Sequence, residues 1–266
     1  MWFQHVKNLT LKMENTYLDC ARFGNGKKTL ILLPGLSFQG VRGAALMLAY
    51  MYRVFEKEYT VYVFDKKADI PDGYTIRDMA DDVAQAMKRL HLHNADVFGV
   101  SQGGMIAQYL AIDHPHLVRK LVLGVTASRC NEVMEKVIHN WIQMAEADDH
   151  GAIVTDMFAK MYSDTYVRKY RWMYPVLTRI VRAKDLSRFT VLARTCLTCQ
   201  AYPELHKIIC PVFVVGGRKD HVVTGEASQE IADVLGCEIY LYDDLGHAAY
   251  EEAAEFNERI LAFLKK

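Results

Sequence analysis

Ser101 stands in Gly99-Val100-Ser101-Gln102-Gly103, a serine between two glycines at the spacing G-x-S-x-G. An apolar run, Ala95-Asp96-Val97-Phe98, precedes it, and a helical run from Met105 to about His114 follows. On so sharp a strand-to-helix turn a serine projects its hydroxyl clear of the backbone. Glycines flank it because a Cβ there would collide where strand and helix pack. A serine hydroxyl is a poor nucleophile until a base takes its proton, and the base needs an acid to hold its tautomer. Candidates for both occur late in the chain. Asp220 follows the apolar run Pro211-Val212-Phe213-Val214-Val215 in Gly216-Gly217-Arg218-Lys219-Asp220, and His247 lies in Leu245-Gly246-His247, past the run Glu238 to Tyr242.

Competing readings are weaker. A helix N-cap would explain Ser101 but does not require glycines on both sides. Asp243 and Asp244 are too close in sequence to His247 to reach around it. His91-x-His93 and His114-x-His116 sit at helix ends, where positions i and i+2 do not face each other, so no metal site is expected. Gly24-Asn25-Gly26-Lys27 lacks a third glycine and is followed by a strand, so it reads as a hairpin turn and not a phosphate loop.

Elements that could position these groups follow from periodicity. Val6 to Met13 and Thr16 to Phe23 alternate like strands. Thr29 to Leu33, Tyr59 to Phe64, Val97 and its neighbours, Lys120 to Val125 and Pro211 to Val215 are apolar runs of the buried, parallel kind. Ala44 to Phe55 and Thr75 to Leu90 read as helices between them, the second with Ile76, Met79, Val83 and Met87 on one face. After the last strand a closing helix is expected from Glu251 to Phe263. Alternation of this kind predicts an α/β fold with a mostly parallel central sheet flanked by helices. It breaks from about Thr126 to Leu205, where only helical spacing is found. Met134, Val137, Ile138, Trp141, Ile142 and Ala145 form one stripe; Val154, Met157, Phe158, Met161 and Tyr162 form another. A structureless stretch this long is implausible, so residues 126–205 are expected to be an inserted helical cap on a core of residues 1–125 and 206–266.

Composition excludes several classes. Lys+Arg and Asp+Glu are both 32, and this balance carries no basic stripe for nucleic acid or an anionic membrane surface. No apolar run approaches the ~20 residues that span a bilayer. Met1 to Leu18 carries Lys7, Lys12 and Glu14 and lacks the apolar core of a secretory leader. A soluble, cytoplasmic protein is expected. Six scattered cysteines do not make a disulfide framework, and Cys196-x-x-Cys199, without a second pair, reads as structural thiols.

The elbow around Ser101, the late post-strand Asp220 and the Gly-His before the last helix together resemble the α/β-hydrolase superfamily, in a capped form and over essentially the whole chain. The resemblance implies Ser101 as nucleophile, His247 as general base and acid, and Asp220 as its orienter. It also implies an oxyanion hole of two backbone N–H groups: Gln102, after the nucleophile, and Leu36, in the loop Pro34-Gly35-Leu36-Ser37. Many relatives carry His-Gly in that loop; here Pro34 takes the histidine's place, which a backbone donor tolerates. No cofactor or metal is implied. The expectation is a serine hydrolase acting on a small, largely apolar carboxylic ester, with Trp141, Met157 and Met161 as candidate pocket residues. Thioester, amide or carbon–carbon hydrolysis, or cofactor-free haloperoxidation, are alternatives on the same groups. A binding protein that uses the pocket as a receptor is the rival from another class.

Overall fold

Eight strands form one sheet in the order β1-β2-β4-β3-β5-β6-β7-β8. The computed structural model describes residues 5–173, 176, 178 and 186–266. The strands are β1 Lys7–Lys12, β2 Tyr17–Phe23, β3 Lys28–Leu33, β4 Tyr59–Phe64, β5 Ala95–Val100, β6 Val118–Gly124, β7 Val212–Gly217 and β8 Glu238–Tyr242. β1 and β2 pair antiparallel, as do β2 and β4; every other neighbouring pair is parallel. Alternation within a strand sends side chains to opposite faces, and both faces are covered. Ile31 and Leu33 of β3 join one core with α2 (Ile76–Arg89) and α3 (Gln102–Asp113); Leu30 and Leu32 join the other, beneath α1 (Val41–Met51). The α/β reading is thus correct, and the strand positions hold to within two residues.

Helix ends show what sets their limits. Thr75 caps α2 through a capping box with Asp78. The first helix begins at Val41, three residues before the expected start, because the Asp65 carboxylate accepts from the Val41 N–H at 2.8 Å and so caps it from another strand's end. The expected closing helix is two helices. Ala249–Glu252 ends where Ala253 turns extended, and Phe256–Lys265 then lays Phe256, Ile260 and Leu264 onto the sheet.

Between β6 and β7 the described chain is helical: α4 (Glu132–Glu146), α5 (His150–Met161), α6 (Asp164–Tyr170) and α7 (Ser187–Cys196). Asn131 caps α4 and Asp149 caps α5 through side-chain oxygens. The stripe Met134, Val137, Ile138, Trp141, Ile142 and Ala145 is buried, with α4 packed on α5 and α7. Residues 174, 175, 177 and 179–185 of the expected cap, and residues 1–4 of the expected core, lie outside the described residues. The helices α8 (Gly225–Leu235), α9 (Ala249–Glu252) and α10 (Phe256–Lys265) complete the chain.

Candidate active site

Parallel strands place the loops after β3, β4, β5 and β7 on one edge of the sheet, and the functional candidates collect there. Ser101 joins β5 to α3 with φ 53° and ψ −120°, a conformation that costs a non-glycine residue about 1–3 kcal/mol. Its surroundings over-determine it. The Ser101 N–H donates to the Gly124 carbonyl at 2.9 Å, and the Ser101 carbonyl accepts from the Thr126 hydroxyl at 2.7 Å and the Gly104 N–H at 2.8 Å. A Cβ on Gly103 would lie 1.8 Å from the Leu33 carbonyl oxygen, and one on Gly99 would lie 2.3 Å from that of Gly103. Both positions are closed to any side chain, which is the steric reason for the G-x-S-x-G pattern.

His247 Nε2 lies 2.9 Å from Ser101 Oγ, and His247 Nδ1 lies 2.8 Å from Asp220 Oδ2. A carboxylate only accepts, so Nδ1 carries the proton and Nε2 is left to accept from the serine hydroxyl. The other carboxylate oxygen of Asp220 accepts from the Val222 and Val223 N–H groups at 2.7 and 3.0 Å, which fixes the acid's orientation. Both residues are buried. The loop carrying Asp220 is locked to the loop carrying His247. The Lys219 N–H donates to the Leu245 carbonyl at 3.0 Å, and a Cβ on Gly217 would strike the Gly246 carbonyl at 2.2 Å. Asp243 and Asp244 face away, paired with exposed Arg218 and Lys219, each at 2.8 Å.

Gln102, the first residue of α3, has an N–H among the four that lack an intrahelical acceptor. Its side chain is buried and donates to the Leu192 carbonyl at 2.7 Å and the Thr195 hydroxyl at 3.0 Å, both on α7. Leu36 follows Gly35, whose added Cβ would stand 3.2 Å from Ser101 Cβ. This close approach brings the loop after β3 against the serine.

A cavity of about 370 Å³ opens beside this loop. Leu36, Val100, Met157, Met161, Phe158 and Tyr162 line it, with Met47, Leu48, Met51 and Tyr52 from α1 and its end. Met157 and Met161 are therefore cavity residues. Trp141 is not: it is buried between helices, and its indole N–H donates to Asp156 at 2.8 Å, so it stabilises the packing of α4 on α5. Helical spacing assigned it to a buried stripe but could not tell helix–helix packing from a cavity wall. The end of α5 reaches the histidine loop directly, where the Ala248 N–H donates to the Met161 carbonyl at 2.7 Å.

Two groups at this edge escape sequence reasoning. Glu251 lines the cavity, with the Tyr162 and Tyr250 hydroxyls donating to its carboxylate. Burial raises its pKa, opposed by those two hydrogen bonds. Lys66, the second residue after β4, is buried and its ammonium donates to the Pro34 and Gly35 carbonyls, each at 2.7 Å. Burial lowers its pKa to about 8, opposed by the Asp65 carboxylate. Cys196 and Cys199 are buried thiols whose pKa is pushed up to about 12 by desolvation, unsuited to thiolate chemistry.

The chain belongs to the alpha/beta hydrolase fold family, whose sequence profile matches residues 54–254. It is an enzyme of the serine-hydrolase type. It is 26% identical over 249 residues, 90% of this chain and 93% of the other, to RutD of Rhizobium rhizogenes, a protein named for carbamate hydrolysis. It is 22% identical to 3-oxoadipate enol-lactonase 2 of Acinetobacter baylyi, over 98% of each chain. The crystal structure of MGS-M2, an alpha/beta hydrolase enzyme from a Medee basin deep-sea metagenome library, superposes with a TM-score of 0.87, at 16% identity over 97% of this chain and 98% of that one. Among the described residues no helix is long and apolar enough to cross a membrane.

Proposed function

We propose that this enzyme hydrolyses a small, largely apolar carboxylic ester, with Ser101 as nucleophile, His247 as general base and acid, and Asp220 as its orienter. The observation that carries the reading is the unbroken relay from Ser101 Oγ to His247 to Asp220, at 2.9 and 2.8 Å. Ser101 Oγ attacks the ester carbonyl while its proton passes to His247 Nε2. The resulting oxyanion is held by the Gln102 and Leu36 N–H groups. Collapse expels the alcohol, which takes the proton from His247, and leaves an acyl-serine. Water then attacks the acyl carbon, again losing its proton to His247, and collapse returns that proton to Ser101 as the carboxylic acid departs.

In this reading residues 126–205 act as a cap that closes over Ser101, with Met157, Phe158 and Met161 forming the acyl pocket. The contact of Met161 with the histidine loop and the apolar cavity wall support it. Lactones, which are cyclic esters, fit the same chemistry, as the likeness to the enol-lactonase suggests. The test is fluorophosphonate labelling followed by a panel of ester, lactone, thioester, amide and carbamate substrates. Labelling confined to Ser101, abolished in Ser101→Ala, with esters or lactones turned over fastest, is expected. Stoichiometric binding without turnover of any activated ester would make the chain a receptor instead.

A further inference from the structure

The loop that carries the second proposed oxyanion donor is held by a charge. β3 and β4 are adjacent and parallel, so the residues that follow them, Pro34-Gly35-Leu36 and Asp65-Lys66, emerge side by side at one edge. The Lys66 ammonium donates to the Pro34 and Gly35 carbonyls, at 2.7 Å each. In a trans peptide the C=O and the N–H of the next residue point in opposite directions, and among the described residues no peptide bond is cis. Two successive carbonyls converging on one ammonium therefore turn two successive N–H groups, those of Gly35 and Leu36, to the opposite side of the loop. A concavity of adjacent N–H groups of this kind favours an anion. The same loop abuts Ser101 through Gly35.

Lys66 is itself held in place. Its N–H donates to Asp65 Oδ1 at 2.7 Å, its carbonyl accepts from Arg188 at 3.0 Å, and the side chain is almost wholly buried. A neutral donor would have been enough to pin one carbonyl, and burying an ammonium is costly. What the charge adds is polarisation: a peptide whose carbonyl binds a cation becomes a stronger donor at its N–H.

We propose that Lys66 is a positioning residue for catalysis, which aims the Leu36 N–H toward the oxyanion by holding the Pro34 and Gly35 carbonyls and polarises it through the Gly35 carbonyl of the same peptide group. This rests on the reading of Leu36 as a donor to the tetrahedral intermediate. Lys66 touches no reacting atom, so its effect should appear only in the transition state.

The experiment compares the wild type with Lys66→Met and Lys66→Arg in p-nitrophenyl ester hydrolysis. It also measures affinity for an alkyl boronic acid, which adds to the serine as a tetrahedral mimic, and for an unreactive ether isostere of the substrate. Losing a whole oxyanion donor costs about 10²–10³ in kcat; misaiming one should cost about 10- to 100-fold. The Met variant should lose that factor in kcat with KM nearly unchanged. Boronate affinity should weaken by the same factor and ether affinity should hold. Lys66→Arg, which keeps two N–H donors and the charge, should recover most of the loss. Equal weakening of boronate and ether binding, or a kcat within about threefold of wild type, overturns the proposal. If Lys66→Met does not fold, Lys66→Gln, whose amide keeps donors but no charge, is read by the same ratio of boronate to ether affinity. A wild type that fluorophosphonate fails to label at Ser101 removes the reading of the site itself, and is scored separately.

Discussion

The side-chain amide of Gln102 donates to the carbonyl of Leu192 at 2.7 Å, tying the residue after Ser101 to helix α7. It also reaches the Thr195 hydroxyl at 3.0 Å. The start of α3 and the helical segment between β6 and β7 are thus joined through a buried amide. Replacing Gln102 with Met keeps the volume but removes these bonds, at a cost of about 1–3 kcal/mol in stability. Because the Gln102 backbone is a proposed oxyanion donor, kcat should fall more than KM rises. Denaturant unfolding and steady-state kinetics on the same variant check both, and an unchanged kcat would show that the side chain does not aim the backbone.

Asp220→Asn should leave the fold intact and lower kcat by up to about 10⁴, since an amide in place of the carboxylate stabilises the wrong imidazole tautomer. Asp243→Asn and Asp244→Asn should behave as wild type, because they lose only exposed pairs with Arg218 and Lys219. If either of these, and not Asp220→Asn, abolishes turnover, the acid is misassigned.

Two glycines make opposite predictions for stability. Gly103→Ala would set a Cβ 1.8 Å from the backbone of Leu33 and should prevent folding or strongly destabilise the fold. Gly43 lies in α1 with nothing within 4 Å of its added Cβ, so Gly43→Ala should stabilise by about 0.5–1 kcal/mol. Melting curves of the two variants decide whether steric closure or composition explains the elbow glycines.

The fold and the chemical groups were legible in unequal measure. Period-two and apolar runs locate β1 through β8 because strands of a covered sheet carry hydrophobic residues at a fixed period, and the elbow glycines mark a turn that tolerates no Cβ. Asp220 and His247 could be named as post-strand residues, but their meeting with Ser101 is a property of the sheet order. Lys66 was illegible for a physical reason. A lysine after a strand reads as solvated, and its burial beneath Pro34 and Gly35 follows only from β3 lying beside β4. Trp141 and Met161 share helical spacing, yet one packs between helices and the other faces the cavity. A stripe tells that a face is covered, not by what.

That difference sets the substrate prediction. Each methylene buried in the cavity contributes about 0.8 kcal/mol, roughly fourfold in kcat/KM. Across p-nitrophenyl esters kcat/KM should climb from acetate to a short or medium acyl chain and then fall, since the space is about 370 Å³. Met161→Ala and Met157→Ala should move the optimum to longer chains with little change for acetate. Trp141→Ala should instead destabilise the fold by about 3–5 kcal/mol without moving the optimum. A profile that shifts with Trp141→Ala and not with Met161→Ala would reverse the assignment of the cavity wall.

Stability should carry a signature of the buried ammonium. The pKa of Lys66 falls from 10.5 to about 8 on folding, because desolvation disfavours its charged form. Below about pH 8 both folded and unfolded chains hold the proton, and the fold bears the full cost of the buried charge. Between about 8 and 10.5 the unfolded chain holds more protons than the folded one, so this contribution to stability rises with pH, by about 3 kcal/mol across the window. Buried thiols act in the opposite sense. Cys20, Cys196 and Cys199 are raised from 9.0 to about 12, so the unfolded chain loses those protons first and stability falls above about pH 9. The net curve therefore mixes both, and the difference between wild type and Lys66→Met isolates the lysine. Urea unfolding at intervals from pH 7.5 to 10 should show the wild type gaining on the variant as pH rises. A difference that stays flat over that range would mean that Lys66 keeps an ordinary pKa in the folded protein.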